Sequence, residues 1–181
     1  MKLDKVEYIS TKKGDKGQSK NYSSEAFDKD DVLFETLGTN DELSAFLGLA
    51  YHYTQCENIK MIQRTLQDIN SLIATNRSVH EERYESLRQI TADDVAFLEK
   101  ETQKYLDLKP LEPRFVLPGS DTTKPNAYFD VARVVARRAE RQLVRFIKAN
   151  LRLDLDIALM YMNRLSDLLF VLARNHPSPK I

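Results

Sequence analysis

Residues 124–148, KPNAYFDVARVVARRAERQLVRFIK, constrain the fold more tightly than any other stretch of this chain. Ala132, Ala136, Ala139, Leu143 and Phe146 recur at alternating spacings of four and three, which lays them along one face of an α-helix. Such a stripe is stable only when neighbouring helices cover it. Pro125 stands where a helix tolerates it, in the first turn. Within residues 130–144, four arginines and two acids interrupt the apolar pattern, and a function has to account for their cost.

Four further segments carry the same period. TNDELSAFLGLAYHY reads as a helix opened by a capping box between Thr39 and Glu42, with Leu43, Phe46, Leu47 and Ala50 on one face. ENIKMIQRTLQDINSLIATN repeats the pattern with Ile62, Leu66, Ile69 and Ile73. TADDVAFLEKETQKYL starts at a Thr91 cap and carries Val95, Leu98 and Tyr105, and DIALMYMNRLSDLLFVLAR runs until NHPSP stops it. With only five glycines in the chain, tight turns are few. The fold class expected is all-α, a five-helix bundle with an irregular N-terminal arm. One domain spans residues 1–181, with the arm at 1–30 and the bundle at 31–175. The loop LKPLEPRFVLPGSDTTKP, with four prolines and one glycine, is too stiff to be a linker between domains.

Composition removes several function classes. Lys and Arg number 27 against 27 Asp and Glu, so no overall field attracts nucleic acid or an anionic membrane. An RNA-binding use of the arginine helix also lacks the aromatic interleaving such surfaces show. Cys56 is the single cysteine and forms no internal disulfide, and His52, His80 and His176 lie far apart, so no transition-metal site is assigned. The longest apolar run, LLFVLA, falls far short of the ~20 residues of a membrane span. MKLDKVEYIS has neither a signal core nor the arginine-rich character of a transit peptide, which favours the cytoplasm, with the mitochondrial matrix as the alternative.

On a helical wheel Arg133, Arg137 and Glu140 fall within an arc of roughly 60° bordering the apolar face. Arg138, Arg141, Arg145 and Lys148 point further round and read as a solvated face. A half-buried, unpaired arginine costs several kcal/mol, and a bound anion would offset that cost. The last helix has a matching polar stripe of Asn163, Asp167, Phe170 and Arg174. Two readings are open for such facing stripes: hydrogen bonds that fix the bundle's register, or a ligand site. The arm segment STKKGDKGQSK combines small and hydroxyl residues with lysines, as a phosphate cradle needs, but lacks the spacing of a Walker loop.

Six stretches in order then carry a resemblance: TKKGDKG from Thr11, KDD from Lys29, GTNDEL from Gly38, FVLPG from Phe115, VARVVARRAER from Val131 and NRLSDLLF from Asn163. Together they resemble the PduO-type ATP:corrinoid (cobalamin) adenosyltransferases. The resemblance implies a homotrimer with ATP and cobalamin bound where subunits meet, and transfer of the 5′-deoxyadenosyl group of ATP to cob(I)alamin with release of triphosphate. A reductase or an adenosylcobalamin-dependent enzyme is the further partner it admits.

Carried over position by position, Thr11, Gly14, Asp15, Lys16, Gly17, Ser19 and Lys29 would wrap the triphosphate and its Mg²⁺. Arg137, Arg138, Glu140, Arg141 and Asn163 would be further ATP contacts, with Arg137 stabilising charge on the departing triphosphate. Phe115 resembles the aromatic that displaces the corrinoid's lower axial ligand. Asp41 and Arg133 match a structural ion pair between subunits. The chain departs from the pattern in two places. KNYSSEAFDKDD lacks a glycine and an arginine, and GSDTTKPNAYFDVAR is about two residues longer. The altered arm makes a non-catalytic corrinoid carrier or scaffold of the same fold the alternative function.

Overall fold

A computed structural model describes residues 5–6, 10, 12 and 14–177. A short antiparallel hairpin, β1 (Gln18–Lys20) and β2 (Ala26–Asp28), precedes six helices among these residues. They are α1 (Val32–Thr54), α2 (Asn58–Ala74), α3 (Glu81–Ser86), α4 (Ala92–Leu108), α5 (Ala127–Asn150) and α6 (Asp156–Asn175). The five expected helices are the five long ones. Six-residue α3, a 3-10 turn at Leu153–Leu155 and the hairpin are additions that are too short to carry a period.

Two local expectations are corrected. Helix α1 starts at Val32, capped by the Asp31 carboxylate accepting from the Leu33 N–H at 2.8 Å. Thr39 is therefore no N-cap: it is buried inside the helix, where its hydroxyl donates to the Glu35 carbonyl at 2.7 Å, and Glu42 pairs with Arg138 instead. The two preceding turns, VLFETLG, extend the helix because Leu33 and Thr36 are buried there and the Thr36 hydroxyl reaches the Gln142 carbonyl, which local capping signals do not encode. Pro125 lies in the turn before α5, not in its first turn, since Asn126 is the capping residue. The Thr91 cap of α4 stands as expected, with Asp94 completing the box by accepting from the Thr91 N–H at 2.8 Å.

Helix α5 is central, packed against α1 on one side and α6 on the other, while α6 packs on α4 and α1 on α2. Ala132, Ala136 and Ala139 are fully buried, and their small side chains let α5 approach both neighbours closely. Leu43 and Leu47 of α1, Ile62, Leu66 and Ile69 of α2, Leu98 of α4, Leu143 of α5 and Leu165, Leu168 and Leu172 of α6 complete the interior. Each such side chain contributes about 1.5–3 kcal/mol by leaving water. Polar cross-links fix the register: the Thr36 hydroxyl donates to the Gln142 carbonyl at 3.3 Å, and the Asn40 amide to Asn70 at 2.8 Å. Helices α1 and α5 run antiparallel, with Tyr53 stacked on Tyr128 near one end and Glu35 bonded to Gln142 near the other.

Candidate functional site

The polar stripes of α5 and α6 meet along an antiparallel seam. Asp130 faces Arg174 at 3.3 Å, the Arg133 guanidinium lies 6.0 Å from the Phe170 ring, and Glu140 accepts from the Asn163 amide at 2.9 Å. Between them, Arg137 acts electrostatically on Asp167, whose carboxyl is pushed up mainly by burial and further by Glu140, against the pull of Arg164 and Arg137. The interhelical bonding foreseen for these stripes is therefore present.

The arginines divide by environment. Arg133 is half-buried and donates to Asp130 at 3.1 Å. Arg138 pairs with Glu42 across the α1–α5 groove. Arg137 and Arg141 are exposed and make no hydrogen bond or ion pair among the described residues. The expectation that Arg137 edges the core is corrected to this extent: its Cα lies beside the seam, and its long stem carries the charge out to water. Two uncommitted cations thus stand on the face that also presents Glu140 and Asn163.

The arm brings two separated motifs together. Gly14–Gly17 forms a turn closed by the Gly17 N–H to the Gly14 carbonyl at 3.3 Å, and the Lys29 N–H donates to the Gly17 carbonyl at 2.8 Å. A Cβ built on Gly14 would meet Lys29 Nζ at 2.8 Å, so only glycine lets this lysine lie against the backbone. Gly17 has a φ of +79°, a conformation that side chains disfavour. Asp15, Lys16 and Ser19 belong to the same turn and strand, whereas Thr11 lies outside the described residues. The hairpin is held to α2 by the Tyr22 N–H donating to the Ala74 carbonyl at 3.0 Å and by Asn76 donating to Glu25 at 3.0 Å.

Phe115 sits on the loop between α4 and α5 with 88% of its surface exposed. Beneath that loop is a cleft of about 310 Å³ lined in part by Arg114, Val116, Asp121, Phe170 and Arg174. The hairpin and this loop lie at opposite ends of α5. A second cleft puts Glu25, Phe27 and Asp31 beside Phe146 and Asn150, whereas the Phe115 loop is fastened at Asp130. Asp41 lines a groove between α1 and α2 with Tyr22, Leu37 and Asn70, and Arg133 lies in the α5–α6 seam. They face different sides of the bundle.

Sequence reasoning missed Asp130. Its carboxylate is 4% exposed and gathers Arg133, Arg174 and the Gly119 N–H, so it ties α5, α6 and the loop at one point. Its placement three residues before Arg133 on a helix was the available signal. Arg174 was seen as part of a stripe, but its burial and partner were not.

The cobalamin adenosyltransferase family model matches residues 9–176. The corrinoid adenosyltransferase MMAB of Homo sapiens is 37% identical over 179 residues, covering 96% of this chain and 70% of the relative. The corrinoid adenosyltransferase of Bacillus subtilis (strain 168) is 34% identical over 175 residues, covering 91% and 83%. Among solved structures, a variant PduO-type ATP:corrinoid adenosyltransferase from Lactobacillus reuteri complexed with cobalamin and ATP superposes with a TM-score of 0.82 at 29% identity, covering 92% of both chains.

Proposed function

This chain belongs to the cobalamin adenosyltransferase family, and on that premise we propose that it transfers the 5′-deoxyadenosyl group of ATP to cob(I)alamin, giving adenosylcobalamin and triphosphate. The observation that carries this reading is the convergence of matched motifs on one face of the α5–α6 pair. Glu140 and Asn163 are joined there at 2.9 Å, with the exposed, uncommitted Arg137 one turn away.

The cobalt of cob(I)alamin is the nucleophile, the 5′ carbon of ATP is attacked, and triphosphate leaves. No side-chain base is required. What the protein contributes is position, charge and dryness. Arg137 stabilises the charge that builds on the departing triphosphate, because an exposed guanidinium that makes no side-chain hydrogen bond or ion pair among the described residues has its donors available for phosphate oxygens. Arg138, held by Glu42, and Arg141 add phosphate or nucleoside contacts, and Glu140 with Asn163 orient the nucleoside. Gly14, Asp15, Lys16, Gly17 and Ser19 would wrap the triphosphate and hold the Mg²⁺ that accompanies it, which would offset phosphate charge; Thr11 belongs to the same motif. Lys29 supplies positive charge against this turn. Phe115 displaces the lower axial ligand of the corrinoid, leaving cobalt(II) four-coordinate and easier to reduce.

The site is shared between subunits of a homotrimer. Twenty residues of helix separate Asp130, which holds the Phe115 loop, from Asn150, which lies beside the hairpin, a length of about 30 Å at 1.5 Å per residue. That separation supports a site that takes the loop from one chain and the arm from its neighbour. The α1–α5 face offers a surface for such a contact: Leu49, Tyr53, Val131 and Val134 are exposed around the Tyr53–Tyr128 stack. Asp41 and Arg133, on different sides of one bundle, pair across the same boundary. No helix is long and apolar enough to cross a membrane among the described residues, and the cytoplasm or the mitochondrial matrix suits this chemistry, with a reductase supplying the reduced corrinoid.

The decisive experiment incubates the chain with ATP, Mg²⁺ and chemically reduced cobalamin and follows adenosylcobalamin by its visible spectrum. Formation of the product is expected; its absence, with cobalamin bound but no ATP binding in calorimetry, would overturn the enzyme in favour of the carrier.

A further inference from the structure

We propose that Asp130 is a positioning residue that sets the attitude of the Phe115 loop and couples it to the arginine-bearing helix. The inference rests on the reading of Phe115 as the corrinoid contact. A carboxylate at 4% exposure is costly unless its oxygens are satisfied. Arg174 alone, itself buried, would answer that need as a simple ion pair. Asp130 does more. Its Oδ1 accepts from Arg133 at 3.1 Å and from Arg174 at 3.3 Å, while Oδ2 accepts from the backbone N–H of Gly119 at 3.0 Å.

That N–H belongs to the middle of a turn. The Ser120 N–H donates to the Leu117 carbonyl at 3.0 Å, Pro118 precedes, and Gly119 has a φ of +80°. Proline followed by a left-handed glycine is the pattern of a type II turn, and the left-handed residue is the one whose N–H reaches Asp130. Phe115 lies just before this turn. On its other side, the loop is held by Leu111, which packs against the core, and by the Lys109 carbonyl, which accepts from the Asn175 amide at 2.7 Å. The loop's own ion pairs join Arg114 to Glu112 and to Asp121, so they stiffen it without fastening it to the bundle. Downstream, Thr122 donates to the Ala173 carbonyl. The Gly119–Asp130 bond is therefore the nearest fastening to the helices on the C-terminal side of Phe115. Because the same carboxylate holds Arg133, one turn before Arg137, the loop and the cationic face share one rigid reference.

Trypsin reads the loop directly. Lys109 and Lys124 are each followed by proline and resist cleavage, which leaves Arg114–Phe115 as the loop's cleavable bond. In Asp130→Asn, cleavage there should accelerate about tenfold, the loss expected for a weakened charged hydrogen bond, while cleavage after Lys100 inside α4 stays unchanged. In the same protein the KM for reduced cobalamin should rise about tenfold and that for ATP should stay within about twofold. Should Asp130→Asn fail to fold because Arg174 is left unpaired, the double variant D130N/R174Q removes both charges and is read in the same way. Wild-type protection at Arg114 in a folded variant, or equal rises in both KM values, would overturn the proposal. If the wild-type protein binds no reduced cobalamin, the corrinoid reading of Phe115 fails, and the proteolysis still decides whether Asp130 holds the loop.

Discussion

The side-chain amide of Asn163 donates to the carboxylate of Glu140 at 2.9 Å, joining the two most distinctive motifs of the sequence across the α5–α6 seam. Asn163 is itself held by Arg164, which donates to its side-chain oxygen at 2.7 Å and also pairs with Glu99 on α4. Three helices thus fix the orientation of one amide. A neighbour such as Arg137, with no bond of its own among the described residues, is where binding a polyanion costs no existing contact.

Arg137→Gln is expected to lower the rate of adenosylation by about 10²–10³-fold, the usual loss when a donor to developing charge is removed. Stability should stay within about 0.5 kcal/mol, because the exposed side chain makes no hydrogen bond or ion pair among the described residues and only a screened attraction to Asp167. Steady-state kinetics with thermal unfolding checks both, and a normal kcat would remove Arg137 from the mechanism.

Phe115→Ala should leave the fold untouched, since the ring is 88% exposed. Turnover starting from cob(II)alamin and a reductant should fall steeply while ATP affinity stays the same. The absorption band of four-coordinate cobalt(II) should disappear; its persistence would assign the axial step elsewhere.

Gly14→Ala places a methyl 2.8 Å from Lys29 Nζ and 3.1 Å from its Cε. The lysine is the flexible partner and moves, so calorimetry should record roughly tenfold weaker ATP binding, as for loss of one charged contact, with little change in melting. Gly17→Ala, at a φ of +79°, should add a stability loss of about 1–2 kcal/mol. Unaltered ATP affinity in Gly14→Ala would separate Lys29 from the nucleotide.

Acid stability tests the knot at the α5–α6 turn. Burial disfavours the Asp154 carboxylate, but hydrogen bonds from Arg152 and Tyr84 outweigh it and hold its pKa below the ordinary 3.8. Burial and the same Asp154 bond push Tyr84 up to about 12. A depressed carboxylate pKa contributes stability that is whole above the unfolded value and is lost as pH falls through the folded one. Asp154→Asn should therefore cost about 1–3 kcal/mol at pH 7, and the difference from wild type in urea unfolding should shrink below about pH 4. A gap independent of pH would mean the carboxylate charge is not what counts.

Asp41→Ala should weaken the oligomer by ~3–5 kcal/mol if it faces Arg133 at a buried subunit boundary, and by ~1 kcal/mol or less if the pair is exposed. Sedimentation over a concentration series distinguishes the two. A trimer of unchanged strength would leave Arg133 to Asp130 alone.

Periodicity alone determined the five long helices and their buried faces, because a stripe such as Ala132, Ala136, Ala139 and Leu143 has one way to leave water. It also determined the polar stripes, and the order of the motifs pointed to the family. The start of α1 was not legible: Thr39 and Glu42 have the spacing of a capping box, yet the buried bond from Thr36 to Gln142 on a distant helix carries the helix back to Asp31. Asp130 was not legible either, since an acid in the first turn of a helix looks like an ordinary dipole partner until Gly119 and Arg174 arrive from elsewhere in the chain. Only the tertiary structure decided which arginines are committed to carboxylates and which remain available, because local period fixes where a Cα lies on a helix, while the partner of a long charged side chain is chosen by whatever distant segment packs within its reach.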